Sequence, residues 1–387
     1  MHNNREKKLR LGIDAKWFFE GPPSGHMVVK NLVDEIIRNN DNSFDIYLLM
    51  NRKDEQRALA HFPAGTKIIF LVKLPNLITN ALLLPVIARR YSLDILMLQN
   101  FNVLCSRNVF KVVYIHDALF LDYPQYYSFL ERLHFGQMKT LARNADRVIT
   151  ISNTEKERMV KHHFSAPENI TVVYHGINPG FKPLVSQPCD VIRKVINSYA
   201  LPDRYVLYVG RVNARKNLTT LIESFALLHD KDLKLLIVGS GFSTQKNKLN
   251  ELIDQLNLAD RIIFTGHVPE EDLYLIYAAA IVFCFPSYAE GFGLPPLEAM
   301  CCGVPVIVSN RTSIPEICGN AAIYASPDSA KTIAKEIDNL LYDEHLYHEK
   351  MMQGIDHAAG FTWKKSADEI LTLITNAYAD RKSYTEA

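Results

Sequence analysis

The second half of the chain alternates short apolar runs with helical stretches. From residue 205 onward, runs rich in β-branched residues recur, each followed by about 10 to 15 residues of helical pattern. This alternation is typical of βαβ units, in which helices cover both faces of a parallel sheet. Several runs end in glycine or in Pro-Ser, as expected at the carboxyl end of a strand, where open α/β sheets bind ligands. The predicted strands are residues 205–209, 233–238, 261–265, 281–285 and 304–308.

The first half follows the same scheme, so we predict an α/β fold with two doubly wound, Rossmann-like domains. A Pro-rich stretch with little pattern, residues 178–203, separates the halves. We predict an N-terminal domain over 1–182, a linker over 183–203 and a C-terminal domain over 204–362, with a helix at about 363–387 packing back on the first domain. The cleft between two such domains is the expected active site. The first-half strands are predicted at 9–14, 45–50, 67–71, 95–98, 111–115 and 147–151, with helices at 27–38 and 127–142.

Length and composition exclude several other classes of protein. A chain of 387 residues with 48% hydrophobic and 22% charged residues is unlike a disordered, fibrous or disulfide-stapled chain. Its 6 cysteines are scattered without a CxxC pair, which favours a reducing compartment. The N-terminus has no apolar signal segment, and no uncharged run reaches the roughly 20 apolar residues that span a bilayer. We expect a cytoplasmic protein with no nucleic-acid partner.

Charge is distributed unevenly along the chain. By residue count, residues 1–182 have a net charge of +7 and the rest −6, although the whole chain has +1. The basic half either faces an anionic phospholipid or phosphate-bearing acceptor, or reflects ordinary surface variation. An apolar segment that ends in two arginines, residues 74–90, either rests on an anionic membrane or forms a buried helix. The basic REKKLR at residues 5–10 would add to a peripheral membrane contact.

The strongest motif is PSYAEGFGLPPLEAM, residues 286–300, where a predicted strand leads through a glycine-containing turn into a helix. Glu290 and Glu298 would be about 12 Å apart in a continuous helix, more than the roughly 5 to 9.5 Å between glycosidase carboxylates. Backbone N–H groups at the helix start can instead hold a phosphate or a polar sugar. A tight strand-to-helix turn is the purely structural alternative. The residues at this helix start are Gly291, Phe292, Gly293 and Leu294.

A second motif, YVGRVNARKNL, follows the first strand of the same half. Arg211 and Lys216 flank a turn led by Gly210 and suit a diphosphate, which Arg binds as a fork and Lys as a point charge. A solvated basic loop is the structural alternative. The next two predicted strands end in VGSG, residues 238–241, and at Gly266, where the backbone can approach a nucleotide closely.

In this combination and order, the motifs resemble those of retaining glycosyltransferase family 4, whose members have two Rossmann-like domains in the GT-B fold. The E-x7-E motif of that family matches Glu290 and Glu298, and its G-R-x4-K-N element matches the segment that begins at Gly210. The HDALFLDYPQYY stretch is most similar to bacterial mannosyltransferases of O-antigen and exopolysaccharide assembly. The resemblance covers nearly the whole chain, including GPPSG at 21–25, IHD at 115–117 and RVITIS at 147–152.

The resemblance implies a donor site made by the second half. Arg211 and Lys216 would clamp the diphosphate of a nucleotide sugar, and Glu298 would bind the ribose hydroxyls. Glu290 would hold hydroxyls of the transferred sugar, aided by the amides from Gly291 to Leu294. The implied donor is GDP-mannose or a UDP-sugar, and no further cofactor is expected.

Two residues of the first half are also implicated by the resemblance. Gly25 would let an N-terminal loop approach the donor phosphates, although Pro22 and Pro23 depart from the family pattern there. His116 would sit at the reacting sugar; the alternative is a strand-end histidine satisfied by the core. The first half is expected to bind a glycan or lipid-linked acceptor.

The expected chemistry is metal-independent transfer with retention of anomeric configuration. The one D-x-D sequence, Asp230 to Asp232, falls at a predicted helix-to-strand turn, so we interpret it as a solvated turn rather than a metal site. Arg211, Lys216 and the helix start would stabilise the leaving diphosphate instead. In the front-face mechanism this implies, the departing phosphate accepts the proton of the attacking hydroxyl.

Other functions remain open at this point. A nucleotide-sugar epimerase or a phosphorylase on the same scaffold would bind the same donor or consume phosphate, and a degenerate scaffold would bind glycan without turnover. An NAD-dependent dehydrogenase is disfavoured because no G-x-G-x-x-G follows an early strand, and GSGFST at residues 239–244 does not replace it.

Overall fold

The computed structural model describes residues 8–41, 43–103, 108–184, 189–241 and 245–386. Contacts divide the chain into two compact units. The first unit holds Met1–Gly176 together with Trp363–Ala387, and the second holds Ile177–Thr362. Each unit contains one parallel sheet with helices packed on it.

The first unit has, within its described residues, a seven-stranded sheet in the order β3-β2-β1-β4-β5-β6-β7. The paired strands are parallel throughout. Its strands are β1 (Leu9–Asp14), β2 (Phe44–Asn51), β3 (Lys67–Leu71), β4 (Ile95–Gln99), β5 (Phe110–Tyr114), β6 (Arg147–Thr150) and β7 (Ile170–Val172). Its helices are α1 (Pro23–Asn39), α2 (Glu55–His61), α3 (Asn76–Ile78), α4 (Leu84–Arg90), α5 (Phe129–Ala142) and α6 (Asn153–Lys161).

The second unit has, in its described part, a six-stranded parallel sheet in the order β10-β9-β8-β11-β12-β13. Its strands are β8 (Tyr205–Val209), β9 (Lys234–Val238), β10 (Ile262–Gly266), β11 (Val282–Phe285), β12 (Val306–Ser309) and β13 (Ile323–Ala325). Its helices are α7 (Cys189–Ser198), α8 (Leu218–Leu227), α9 (Lys246–Gln255), α10 (Glu270–Ala278), α11 (Leu294–Cys301), α12 (Ile314–Cys318), α13 (Ala330–Tyr342) and α14 (Glu344–Ala358).

The sheets are buried on both faces, as their sequences require. Every residue of β4, β11 and β12 is buried, because continuous apolar strands can only be accommodated between helical layers. In each sheet the chain order reverses beside the first strand, between β1 and β4 and between β8 and β11. Such switch points open a crevice at the carboxyl edge of the sheet, where ligands bind. The α/β, Rossmann-like fold class predicted from the sequence is therefore confirmed for both units.

The structure differs from the predicted linker over residues 183–203. Residues 189–198 form α7, whose Val195 is buried, and the Tyr199 hydroxyl donates to Asp272 Oδ2 on α10 at 2.8 Å. This segment therefore packs into the second unit, which begins at Ile177 rather than after residue 203. The predictions also lacked β7 and β13, because three residues at a sheet edge leave too short a pattern.

The last helix, α15 (Trp363–Glu386), belongs to the first unit and packs on α1. A search of the described residues finds no helix with the length and hydropathy needed to cross a bilayer. The apolar segment at residues 74–90 forms a helical run in which Leu84 and Ala88 are buried, whereas Leu82 and Val86 are each 65% exposed. The segment is therefore amphipathic. One face is buried, as expected of a buried helix, and the other is exposed, as a segment resting on a membrane would require. Residues 5–7 of the basic REKKLR lie outside the described residues.

Candidate functional site

Three neighbouring strands of the second unit end in or lead into glycine, and the backbone conformation at these positions favours glycine. Gly210, Gly239 and Gly266 follow or end β8, β9 and β10, and all three have positive φ. A Cβ atom at Gly239 would lie 2.0 Å from the carbonyl oxygen of Gly210, far inside any real contact. The Gly239 N–H donates to the Gly266 carbonyl at 2.8 Å. This edge of the sheet is thus bare backbone, which a ligand can approach closely.

The basic turn after β8 is held by asparagine side chains. Asn213 Oδ1 accepts the backbone N–H of Lys216 at 3.1 Å and so caps a short 3₁₀ turn, Ala214–Lys216. Asn217 takes a left-handed conformation with φ of 58°, and its Nδ2 donates to the carbonyls of Pro286 and Pro327 at 3.0 and 2.7 Å. The turn is therefore tied to the segment that follows β11.

Glu290 lies in an ion cluster with two cations. Its Oε1 accepts from Lys216 Nζ at 2.6 Å, and its Oε2 accepts from Arg215 Nη1 at 3.0 Å. Burial by itself raises the pKa of Glu290, but the charges of Arg215 and Lys216 outweigh it and hold the pKa at about 2. Lys216 Nζ also lies 4.6 Å from the ring centroid of Phe285. Two cations against one carboxylate leave the cluster with a positive excess.

The loop after β12 positions the Glu290 backbone. The Glu290 N–H donates to Thr312 Oγ1 at 2.9 Å, and the Ser313 hydroxyl lies 2.9 Å and 2.7 Å from the carbonyl oxygens of Glu290 and Phe292. Gly293 has φ of 123° and immediately precedes α11. The segment from Gly291 to Leu294 is thus held against the cluster at the start of α11, where Leu294 carries an N–H and the next two residues, Pro295 and Pro296, carry none. This start of α11 is suited to an anion.

Glu298 is buried on α11 in a different environment. Its Oε2 accepts from the Tyr277 hydroxyl at 2.8 Å. Burial raises the pKa of Glu298 to about 7, because the tyrosine hydrogen bond lowers it less than desolvation raises it. The two glutamates of the E-x7-E motif therefore differ in charge environment although they are eight residues apart in sequence. Arg211, in contrast to both, is exposed on the turn after β8.

The predicted site residues of the first unit meet at its own switch point. Trp17 follows β1, Asn100 follows β4 and His116 follows β5, and with Gly25 they line a pocket of about 150 Å³. Gly25 is not in a loop, as the resemblance implied, but in the first turn of α1, which begins at Pro23. Proline is favoured at the first position of a helix, and the two prolines of GPPSG therefore start α1 early.

Gly25 and His116 both contact Trp17. A Cβ atom at Gly25 would lie 3.1 Å from Trp17 Cε3, so a side chain there would press on the indole. The Trp17 and His116 rings are 5.5 Å apart between centroids. Burial lowers the pKa of His116 to about 4, so the ring is neutral at physiological pH. Its Nε2 lies 2.9 Å from Gln99 Oε1, which is an acceptor, so Nε2 carries the proton and Nδ1 is an acceptor.

A buried ion-pair network holds the loop that follows His116. Glu155 Oε2 accepts the Ala118 N–H at 2.8 Å, and its Oε1 pairs with Arg158 Nη1. Arg158 Nε donates to Asp122 Oδ2 at 2.9 Å, so both ends of the 118–122 segment are bound to α6. Burial raises the pKa of Glu155 above its usual range although Arg158 lowers it, whereas the bonds from His162, Lys161 and Arg158 lower that of Asp122.

Several of these residues were missed by the sequence analysis. Arg215 stood inside a quoted motif but one position from the residue chosen, and Thr312 and Ser313 lie in the polar NRTS segment after β12, at the same sheet edge. Glu155 and Arg158 lie on a helix that is polar from Asn153 to Arg158, so the sequence did not indicate that these two residues are buried. Only the tertiary contacts identify them.

The D-x-D segment forms a turn. Asp230 Oδ1 accepts the N–H groups of Asp232 and Leu233 at 2.9 and 3.2 Å, and its Oδ2 pairs with Arg204 at 2.7 Å. This agrees with its interpretation as a turn at the surface. Within the described ranges, no group of three or more His, Cys, Asp and Glu side chains has the arrangement of a metal site.

Comparisons with known proteins agree with this fold. The model for Glycosyl transferases group 1 matches residues 192–357, and the model for Glycosyltransferase Family 4 matches residues 26–181. O-antigen chain mannosyltransferase B of Escherichia coli is 30% identical over 273 residues, which is 69% of each chain. O-antigen chain mannosyltransferase RfbU of Salmonella typhimurium is 27% identical over 273 residues, 70% of each chain. Anabaena HepE, solved in complex with UDP-glucose, has a TM-score of 0.73 at 17% identity over 95% of this chain and all of that one.

Two Rossmann-like units of this kind define a protein of the GT-B class. Both family models and the Escherichia coli relative agree on the family: the chain belongs to glycosyltransferase family 4 and is a glycosyltransferase.

Proposed function

We propose that this enzyme transfers a hexose, mannose in preference, from a nucleoside-diphosphate sugar to a glycan or lipid-linked oligosaccharide in bacterial surface polysaccharide synthesis. The observation that carries the proposal is the positively charged cluster of Lys216, Arg215 and Glu290 beside the start of α11. The relatives named O-antigen chain mannosyltransferases support mannose and O-antigen assembly, and we propose GDP-mannose as the donor ahead of a UDP-sugar. The work of this enzyme would then be cytoplasmic.

The second unit is proposed to bind the donor. Arg211, which is exposed, and Lys216, whose Nζ lies beside Glu290 and the Phe285 ring, would hold the diphosphate through charge-assisted hydrogen bonds. Glu290 stays ionised and so accepts hydrogen bonds from hydroxyls of the transferred sugar. Glu298 would accept from the ribose hydroxyls. The first unit would bind the acceptor, with Gly25 close to the donor phosphates and His116 at the reacting sugar.

The proposed reaction proceeds with retention. The bond between the anomeric carbon and the β-phosphate oxygen breaks, and the acceptor hydroxyl oxygen forms a new bond to that carbon on the same face. The proton of the hydroxyl passes to the departing phosphate, so the nucleoside diphosphate leaves as the conjugate acid of its fully ionised form. Arg211, Lys216 and the positive end of the α11 dipole would stabilise the charge that develops on that phosphate, without a metal ion.

A peripheral membrane contact is proposed for the first unit. The run through α3 and α4 exposes Ile78, Leu82 and Val86 and ends in Arg89 and Arg90. Apolar side chains beside cations are the pattern of a helix that lies on an anionic bilayer. Sedimentation with vesicles containing phosphatidylglycerol should therefore pellet the protein, whereas vesicles of phosphatidylcholine alone should not. Absence of binding to both would remove this part of the proposal.

The central experiment measures donor use in EDTA. The purified enzyme is incubated with GDP-mannose and, separately, UDP-glucose, each with a polyprenyl-diphosphate-linked oligosaccharide ending in mannose, and nucleoside diphosphate release is measured. We expect release that depends on the acceptor, is unchanged by chelation, and is lost in Lys216→Met but not in Lys231→Met, an exposed lysine in the D-x-D turn. The anomeric proton coupling of the product then reports retention or inversion.

Other outcomes identify other functions. Interconversion of nucleotide sugars without an acceptor would identify an epimerase, and consumption of inorganic phosphate would identify a phosphorylase. Stimulation by more than about tenfold on adding Mg²⁺ or Mn²⁺ to the chelated enzyme would contradict the metal-independent mechanism, since one removed electrostatic donor typically costs about 10²–10³ in rate. Donor binding with no turnover on any acceptor would favour the degenerate scaffold.

A further inference from the structure

The backbone directly after β4 is strained. Asn100 has φ of 59°, in the left-handed region that few residues other than glycine adopt. The Phe101 N–H donates to the Gln99 carbonyl at 2.6 Å, so the chain makes a γ-turn centred on Asn100. A γ-turn with positive φ at its centre is the rare and strained form. Such a conformation persists only where the surrounding structure holds it in place.

This turn determines the position of His116. Asn100 Oδ1 accepts the backbone N–H of His116 at 3.1 Å, and the Asn100 N–H donates to the Tyr114 carbonyl at 2.9 Å. The Gln99 side chain bonds the imidazole, with Oε1 at 2.9 Å from His116 Nε2. Both the backbone and the ring of His116 are therefore attached to the turn. A shift of the turn would move the residue that the proposed function places at the reacting sugar.

Asn80 holds the turn from a different element. Its Nδ2 donates to the Phe101 carbonyl at 2.5 Å, and the residue is 1% exposed. This hydrogen bond fixes the residue whose N–H closes the γ-turn. Asn80 lies in a π-helical turn, Thr79–Leu83, between α3 and α4. Single π turns are rare in proteins and recur at functional sites.

Lys16 fixes the orientation of the Asn80 amide. Lys16 Nζ donates to Asn80 Oδ1 at 2.9 Å. Because an ammonium group only donates and a backbone carbonyl only accepts, the amide oxygen must face Lys16 and the NH₂ group must face Phe101. Lys16 is buried and also pairs with Asp14 Oδ2 at 3.2 Å, so its charge is balanced within the first unit. The amide therefore has one possible orientation, and that orientation restrains the turn.

We infer that Asn80 is a positioning residue for the proposed transfer: it holds the strained turn at Asn100 and thereby fixes His116, without contacting substrate. Asn80 and Lys16 are not among the described residues that line the pocket beside His116. The effect on the reaction rests on the proposed function, whereas the restraint on His116 does not. A buried asparagine that only attached α3 and α4 to the sheet would stabilise the fold and leave the rate unchanged.

Two variants remove the bond to Phe101 in different ways. Asn80→Ala removes both hydrogen bonds of the amide. Asn80→Asp keeps the size of the side chain and an acceptor for Lys16, but its carboxylate turns an oxygen toward the Phe101 carbonyl in place of the NH₂ group. Asn40→Ala is the matched control at the amino edge of the same sheet. Asn40 Nδ2 donates to the Phe44 carbonyl at 2.9 Å, and its Oδ1 accepts the Phe44 N–H at 3.1 Å.

The kinetic experiment measures transfer from GDP-mannose in EDTA. We expect kcat to fall by about 10- to 100-fold in both Asn80 variants, because a displacement of about 1 Å at a reacting group costs up to about 10² in rate. The KM for GDP-mannose should change by less than about threefold, since the proposed donor contacts lie in the second unit. Asn40→Ala should keep kcat within about twofold of the native value.

A double-mutant cycle tests whether Asn80 acts through His116. In a His116→Ala background, Asn80→Ala should lower kcat by less than about twofold, because no imidazole is left to position. A residue with a merely structural role would lower the rate by the same factor in both backgrounds.

Hydrogen exchange tests the geometry without any activity. The His116 N–H is protected by its bond to Asn100 Oδ1, so a released turn exposes it to solvent. We expect this N–H to exchange at least about tenfold faster in Asn80→Ala than in the native chain. The N–H of Ile13, a fully buried residue of β1, is the internal reference and should change little. Asn40→Ala should leave the exchange of His116 unchanged.

Three results would overturn the inference. They are an unchanged kcat in Asn80→Asp, an equal loss of rate from Asn80→Ala in the native and His116→Ala backgrounds, and exchange at His116 that increases no more than at Ile13. If the native chain transfers mannose and any of these results is found, the inference fails while the proposed function stands. If the native chain transfers no sugar but His116 exchanges selectively, the proposed function fails and the restraint on His116 stands.

Discussion

The two units place different chemistry on the same topology. At the carboxyl edge of the second sheet, β8, β9 and β10 lead into glycines, and the cations of Arg215 and Lys216 lie beside bare backbone. At the corresponding edge of the first sheet, the strands lead into the side chains of Trp17, Asn100 and His116. The strand order of a parallel sheet therefore determines where its ligand-binding crevice lies. The residues that follow each strand determine which kind of ligand the crevice suits. The edge of the second sheet carries cations beside bare backbone, whereas that of the first carries aromatic and uncharged polar side chains.

The buried glutamates of the two units show the same contrast. Glu290 has two cations of its own, and its pKa is held at about 2. Glu155 has one, Arg158, which also pairs with Asp122, and burial raises its pKa. The Glu290 cluster thus carries excess positive charge that a phosphate can use. The Glu155 network is internally balanced, and its role is to position the loop after His116.

The largest expected effect is on stability, from removing the shared cation of the first unit. Arg158→Met removes the guanidinium that Glu155 and Asp122 share. Removing one partner of a buried ion pair costs about 3–5 kcal/mol. Lys161→Met also removes a partner of Asp122 but is exposed, so it should cost less than about 1 kcal/mol. Urea unfolding followed by circular dichroism measures both. Equal losses from the two variants would contradict a network that depends on Arg158.

The next effect is on catalysis, from removing a cation of the second unit. Lys216→Met should lower kcat/KM by about 10²–10³, because a preorganised charge at the leaving phosphate is lost. The fold should be retained, because Glu290 keeps Arg215 as a partner. Nucleoside diphosphate release under single-turnover conditions measures the change. A loss of less than about threefold would mean that the cluster stabilises the fold and not the reaction.

Two glycine substitutions test the bare backbone edge. Gly239→Ala forces a Cβ atom to within 2.0 Å of the Gly210 carbonyl and should cost about 3 kcal/mol or more. Gly266→Ala meets nothing within 4 Å and carries only the cost of its positive φ, about 1–2 kcal/mol. Melting temperatures of the two variants give the difference. Similar losses would mean that the strand ends are not as close as 2.0 Å implies.

The last expected effect is a pH dependence that distinguishes Glu298 from Glu290. Because the pKa of Glu298 rises from 4.5 to about 7 on folding, its contribution to stability is complete below pH 4.5 and is lost as pH rises to about 7. Because the pKa of Glu290 falls from 4.5 to about 2, its contribution is present above pH 4.5 and is lost as pH falls toward 2.

Glu298→Gln should therefore remove the decrease in the free energy of unfolding that Glu298 causes as pH rises. Relative to the native chain, its free energy of unfolding should increase by up to about 1.4 kcal/mol per pH unit between pH 4.5 and 7. Urea midpoints across that range measure it, with Glu344→Gln, an exposed carboxyl of α14, as control. A difference that does not change with pH would show that Glu298 does not take up its proton on folding.

Much of the second unit was predictable, and the reason lies in its strands. The bounds of β8 match the prediction, and β9 to β12 differ from it by one or two residues, because β8 to β11 are mainly apolar runs closed by glycine or Pro-Ser and β12 is a fully buried run. The short edge strands β7 and β13 and the helix α7 were not predicted. A three-residue edge strand is defined by its hydrogen bonds to a neighbour, and α7 lies in a segment where proline masked the helical pattern.

The candidate site was predicted in part for a similar reason. Lys216 and Glu290 stand in motifs whose glycines and prolines mark the turns around them, and the structure joins these two side chains. Gly25 was assigned to a loop, whereas its segment starts α1 and packs on Trp17. The pKa values of Glu290 and Glu298 shift in opposite directions, and an eight-residue spacing does not predict this. The shifts depend on burial and on the cations and the tyrosine that other elements supply.

The sequence by itself determined the two parallel sheets, the edge of each where a ligand binds, and the membership of the chain in glycosyltransferase family 4. These follow from local patterns, because apolar periodicity and turn residues act over short distances along the chain. Only the tertiary structure decided which charges are neutralised: it paired Glu290 with Arg215 and Lys216, and it bound Arg158 to both Glu155 and Asp122. Burial and charge depend on neighbours in space, and those neighbours come from distant parts of the sequence.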